Sequence, residues 1–192
     1  MKNKLSNNRA FTLIEVIITI TISLLIFLLI SGIYLLSQRV YFQTDSRAEI
    51  SQNGRVILDR MIREIRQAKE IATQLPTTNS DPEQLPSEIM FQNGHDTQDV
   101  RYIRYFLDGS DLKRQEIIFY FPRDPQYYVH FYDTDKEEPH DPPIQSVLEE
   151  KIIGEYINDL EFWGDRLINI NLELQKNNQN IILFTSVYGR NL

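Results

Sequence analysis

The stretch Arg9-Ala10-Phe11-Thr12-Leu13-Ile14-Glu15-Val16 decides how the rest of the 192-residue chain is read. It lies where a short basic leader meets a long apolar run. Lys2, Lys4 and Arg9 are the charged residues before Phe11, and Val16 to Gln38 contains none. An apolar stretch of about 20 residues is long enough to cross a bilayer as a helix. Basic residues ahead of such a span hold the N-terminus in the cytoplasm, so the chain beyond it is expected to be exported. An ordinary secretory signal puts its small residue after a short apolar core. Here the order is reversed, with Ala10 preceding a longer run. Cleavage at Ala10-Phe11 would remove residues 1–10 and leave the span on the mature chain.

Glu15 sits inside the apolar run. A carboxylate facing lipid costs about 2–3 kcal/mol at the bilayer centre and less near its edge. Two arrangements would relieve that cost. The side chain can snorkel to the headgroups from its place near the helix end, or it can meet a cation. A free amine at Phe11, with an ordinary pKa of about 8, would be largely protonated. In a low-dielectric bundle, amine and carboxylate each lower the cost of burying the other. The Phe11 amine of a neighbouring subunit would then set the axial register of an assembly through Glu15.

These residues resemble the class-III signal of type IV prepilins, the N-terminal mark of type IV pilins and of type II secretion pseudopilins. Phe11-Thr12-Leu13-Ile14-Glu15 matches the family core, and Val16 continues it. Ala10 stands where the family usually has Gly. The resemblance implies cleavage after Ala10 by a membrane-embedded prepilin peptidase, N-methylation of Phe11, residence in the bacterial inner membrane as a single-pass protein, and extraction into a helical filament. The implied partners are the peptidase, other minor pilins or pseudopilins, the inner-membrane assembly platform and membrane lipid.

The acidic balance fits protein partners better than nucleic acid. The chain has 20 basic and 27 acidic residues, a formal charge of -7. Without Lys2, Lys4 and Arg9 the mature chain sets 17 basic residues against 27 acidic ones, near -10. Nucleic-acid binding needs a basic surface. The absence of cysteine rules out a disulfide and any thiolate site. In this the chain departs from the many pilins that carry a C-terminal disulfide loop.

The first proline is Pro76. Leu58, Met61, Ile65, Ala68 and Ala72 recur at spacings of three and four, which predicts one stripe of an amphipathic helix. Asp59 with Arg63, and Arg66 with Glu70, are spaced as i,i+4 ion pairs. A single helix from about Thr12 to about Ala72 is the simplest reading, with Gly32 and Gly54 as its weak points, each costing about 1 kcal/mol relative to Ala. The predicted organisation is a leader at 1–10, a transmembrane or filament-core helix at 11–37, an amphipathic continuation at 38–74 and a soluble β-rich head at 75–192.

Within the head, Pro76 to Pro86 reads as a loop. Strands are predicted at Ile89–Phe91, Val100–Leu107, Glu116–Phe121, Tyr127–Tyr132, Tyr156–Trp163, Leu167–Leu174 and Ile181–Val187. Asp108-Gly109-Ser110-Asp111 is a hairpin turn signal, and Asn177 to Asn180 turns the final pair. Ser146 to Ile153 reads as a short helix or irregular. A long helix followed by strands gives an α+β fold, a mostly antiparallel sheet packed on the Leu58–Ala72 stripe. Arg55 to Asp59, Ile65 to Ala68, Leu112-Lys113-Arg114 and the terminal Ser186 to Asn191 resemble J-type minor pseudopilins of type II secretion.

Other constellations carry weaker chemistry. Asp133, Asp135 and Glu137, with Glu138 and Asp141, offer hard oxygen ligands for calcium, but the loop lacks the glycine turn and closing bidentate Glu of an EF-hand. A solvated charged loop is the preferred reading, with calcium a weak alternative. His95, His130 and His140 match no zinc or triad spacing, and no phosphate-binding glycine loop is present. The aromatic residues between Tyr102 and Tyr132 suit a core with an outward subset for contacts. No cofactor is implied. The reading is a non-enzymatic structural subunit. Its rivals are a single-span anchored binding protein that is never cleaved or polymerised, and an exported enzyme.

Overall fold

The structure is a computed structural model that describes residues 12–80, 85–94, 99–136 and 140–190. The elements run α1 (Leu13–Gln67), β1 (Glu88–Gln92), β2 (Tyr102–Asp108), β3 (Asp111–Phe121), β4 (Asp124–Val129), β5 (Ile144–Gly154), β6 (Ile157–Trp163), β7 (Leu167–Lys176) and β8 (Gln179–Tyr188). The chain divides into two compact units between Asp45 and Ser46, within α1. The described part of the first unit is Thr12 followed by helix.

The second unit is α+β, with every paired strand antiparallel. It contains two sheets where one was expected. In the larger, β1 pairs with β2 and β2 with β3. The registers place β2 and then β4 along one edge of β3, and β5 along the other. The smaller sheet is β6-β7-β8. The Ser46–Gln67 part of α1 supplies Ile50, Ile57, Leu58, Met61 and Ile65 to a single core. Ile89, Phe91, Ile103, Tyr105 and Leu112 join it from the larger sheet, and Leu160, Phe162, Ile170, Leu172 and Leu174 from the smaller. Gly54 lets the helix come close to the smaller sheet, because a Cβ there would lie 2.5 Å from Leu183 Cδ1 and 2.8 Å from Leu174 Cδ1.

The predicted stripe holds through Ala68, which is fully buried, but the helix stops at Gln67 rather than continuing to Ala72. Beyond it the backbone turns extended and runs antiparallel along the outer edge of β1. Lys69 N donates to Gln92 O, Gln92 N to Glu70 O and Ala72 N to Met90 O, with Ile71 bridged to Phe91. A sheet edge full of unsatisfied donors and acceptors competes for this backbone and outweighs the helical spacing of its side chains. The Asp59–Arg63 pair forms, whereas Glu70, now past the helix, turns to Tyr102.

Ser146–Ile153 is neither helical nor irregular; it lies within the 11-residue strand β5. Two shifts in its register with β3, between Leu112 and Lys113 and between Glu116 and Ile117, break the alternation that marks a strand in sequence. The two hairpins whose turns the sequence predicts are tight. Gly109, with φ of 65°, turns β2 into β3. Asn177, with φ of 46°, turns β7 into β8 through Asn177-Asn178 alone, so Gln179 and Asn180 belong to the strand.

Candidate functional site

The helix start shows how the Glu15 carboxylate is held. Val16 N donates to Thr12 O, which makes Thr12 the N-cap and Glu15 the third helical residue. Glu15 Oε2 accepts the Thr12 N–H at 2.9 Å and the Thr12 hydroxyl at 3.0 Å, and Thr12 Oγ1 lies 3.4 Å from Glu15 N. This is a reciprocal capping box, in which cap and third residue satisfy each other's free backbone donors. The Thr-x-x-Glu spacing is present in Thr12-Leu13-Ile14-Glu15, and Thr12 is the functional residue that reading Glu15 alone misses. The negative side chain also lies at the positive end of the helix dipole. Both contacts fall on Oε2. Among the described residues no donor is placed on Oε1, so the carboxylate keeps capacity for a cation from outside the subunit.

The side chains that follow suit lipid. Apolar residues from Leu13 to Phe42 are exposed along α1, and the helix is long and apolar enough to cross a membrane. Three of its hydroxyls are satisfied by the helix's own carbonyls. Thr19 Oγ1 donates to the Glu15 and Val16 carbonyls, Thr21 Oγ1 to Ile17 O and Ser31 Oγ to Phe27 O. Bilayer-embedded polar groups need such partners. Tyr34, its hydroxyl taken by Gln38 Nε2 at 2.8 Å, and Tyr41 follow just before and after Arg39, the residue types that settle at a membrane–water boundary. Gly32 has open space around its Cα.

Residues 5–31 match the family model described as the prokaryotic N-terminal methylation motif. The chain carries a type IV prepilin-like signal, of the kind processed by prepilin peptidase, on a helix suited to membrane anchoring. The match covers Ala10, Phe11, Thr12 and Glu15; Ala10 and Phe11 lie outside the described residues. No curated protein and no solved structure matches the chain.

The second unit holds the other singled-out residues. Asp133 accepts the His130 N–H at 2.8 Å, Asp135 N donates to Asp141 O, and His140 Nδ1 lies 2.9 Å from Asp135 O. The loop is thus closed partly by its own side chains. Glu137 and Glu138 lie outside the described residues, as does His95. Among the described residues no group of three His, Asp or Glu side chains is placed to hold a metal.

Two polar clusters tie the sheet to the chain around α1. Tyr105 donates to Glu64 Oε2 at 2.6 Å, and Arg114 Nε reaches both Glu64 oxygens at 3.0 and 3.2 Å. Burial, and then the Glu64 charge, push the Tyr105 phenol well above its ordinary value. Tyr102 donates to Glu70 Oε1 at 3.1 Å and lies 3.2 Å from His130 Nδ1, and burial again raises its phenol. Both clusters explain themselves as satisfied buried polar groups.

Proposed function

We propose that this protein is a minor pilin or pseudopilin, a non-enzymatic subunit cleaved after Ala10, methylated on Phe11 and assembled through its N-terminal helix into a type IV pilus or type II secretion pseudopilus. It resides first in the bacterial inner membrane with its N-terminus cytoplasmic and its β-rich unit outside, and it works with related minor subunits to prime the filament or cap its tip. The observation that carries this reading is Glu15 as a capping residue at the mouth of a lipid-suited helix, one oxygen still available, four residues after the expected new amine at Phe11. A simple anchor gains from that charge only its interaction with the helix dipole, since Gln would close the same box.

Substitution at Glu15 separates the two roles. Glu15→Gln keeps the box and removes the charge; Glu15→Ala removes both. On this reading both variants insert in the membrane and both fail to enter filaments, while Gln retains the cap. Mass spectrometry of the mature protein should find methylated Phe11 as the first residue. An intact Met1 in cells with active prepilin peptidase would favour a membrane-anchored binding protein that never polymerises, whereas normal assembly of Glu15→Gln would overturn the role given to the Glu15 charge.

A further inference from the structure

Over residues 70–192 there are 22 carboxylate side chains and 10 basic ones. Most of the cations are accordingly taken. Arg101, Arg104, Lys113, Arg114, Lys151 and Lys176 each sit against a carboxylate. Arg66, Arg166 and Arg190 do not. All three are exposed, and among the described residues none of them has an ion pair. Far apart in sequence, they are brought together by the backbone. Arg166 O accepts the Gly189 N–H at 3.4 Å, and Arg66 O, in the last turn of α1, accepts the Arg190 N–H at 3.0 Å. Asp165 is the one acid within residues 164–167 and 189–190, so this corner is net positive on an acidic body. Tyr188 and Leu167, paired across β8 and β7, border it and are 66 and 39% exposed.

A cation at a helix C-terminus offsets the dipole, and Arg66 is the basic residue of that last turn. Arg166 and Arg190 exceed this need. The geometry points to the corner as a docking site for an acidic segment of a different protein, its carboxylates held by Arg66, Arg166 and Arg190 and an apolar side chain resting on Tyr188 and Leu167. The sign of the occupant follows from the charges. These guanidiniums stay unpaired in a region with a twofold excess of carboxylates, so an incoming anion meets cations that no internal partner holds. The planar guanidinium fork matches a carboxylate with two parallel hydrogen bonds. A polynucleotide needs an extended basic surface, and the acidic body around the corner repels it. A compact group of carboxylates on a protein needs only the corner itself. Arginine and tyrosine are also the residue types that carry binding energy at protein interfaces. The contact uses no residue of the N-terminal signal and stands apart from the reading of Glu15.

Fluorescence anisotropy on the full-length protein in an uncharged detergent tests this. The probe is a short labelled peptide of Glu and Asp around a single Phe, with the Gln and Asn version of it and an oligonucleotide of equal charge as controls. The acidic peptide should bind and the two controls should not. Arg166→Ala with Arg190→Ala should weaken binding about tenfold or more. The same pair changed to Lys keeps the charge but loses the fork, and should weaken it severalfold. Tyr188→Ala should lower affinity for the peptide with Phe and leave a peptide without it unaffected. Arg55→Ala removes another exposed arginine without an ion pair among the described residues and should change nothing. All of these side chains are exposed, so circular dichroism should stay constant. Absence of peptide binding, equal losses from Arg55→Ala, or tighter binding of the oligonucleotide would each overturn the proposal. So would self-association of the protein that Arg190→Glu abolishes, which would make a second copy the occupant.

Discussion

Thr12 and Glu15 close on each other at the first turn of α1, the carboxylate of one accepting both the amide and the hydroxyl proton of the other. The acid that would recruit a neighbour's amine is therefore already anchored within its own subunit, and its orientation depends on a threonine. Thr12→Ala should cost about 1 kcal/mol of cap stability. It should accelerate hydrogen exchange at the amides of residues 14–16 in the bilayer, with Thr12→Ser restoring protection. Unchanged exchange in Thr12→Ala would show that the box is not maintained in lipid.

The Glu64 cluster should govern the stability of the second unit. Tyr105→Phe leaves Glu64 its arginine and should cost about 1 kcal/mol, roughly 3 °C of melting temperature. Glu64→Ala strands the buried Arg114 guanidinium and should cost about 3 kcal/mol or more. Thermal unfolding of the full chain in detergent tests the ranking. Equal losses would mean that Arg114 finds another acceptor, with Glu149, 3.7 Å away, the nearest one in place.

The two glycines of α1 should respond in opposite ways. Gly54→Ala drives a methyl into Leu183 and Leu174 and should destabilise by about 1–3 kcal/mol. Gly32→Ala meets nothing within 4 Å, and the helix should gain up to about 1 kcal/mol. A melting series on the two single variants decides this. A destabilised Gly32→Ala would reveal a contact made only in the membrane or in an assembly.

Alkali should unfold the protein through its buried tyrosines. The phenols of Tyr102 and Tyr105 are held above the ordinary value of 10.0, so the folded state retains protons that the unfolded state releases. Their contribution to stability is complete below about pH 10 and is lost as pH rises toward the folded values. Phenolate absorbance should therefore appear in two stages, exposed tyrosines first and the buried pair only with loss of the circular dichroism signal. A single smooth titration with the fold intact would contradict the burial of these hydroxyls.

The helical stripe was legible because Leu58, Met61, Ile65 and Ala68 face one core and nothing competes for their backbone. Just beyond Ala68 the same spacing misled. Ile71 and Ala72 continue the threes and fours, yet their backbone serves the β1 edge, a demand that originates in Glu88–Gln92. β5 was hidden for a related reason. Glu149-Glu150-Lys151 are good helix formers, and register shifts spoil the alternation of the apolar residues around them, so only the partner strand β3 defines the element. At the N-terminus the charge order and Glu15 could be read directly. The role of Thr12 was equally available, as a spacing of three, but shows its purpose only when the carboxylate is seen bent back toward it.

The extended segment after Gln67 limits how the larger sheet can grow. Its backbone already fills donors and acceptors along β1, so that border is sealed from within the same molecule, and a foreign strand could add there only by displacing it.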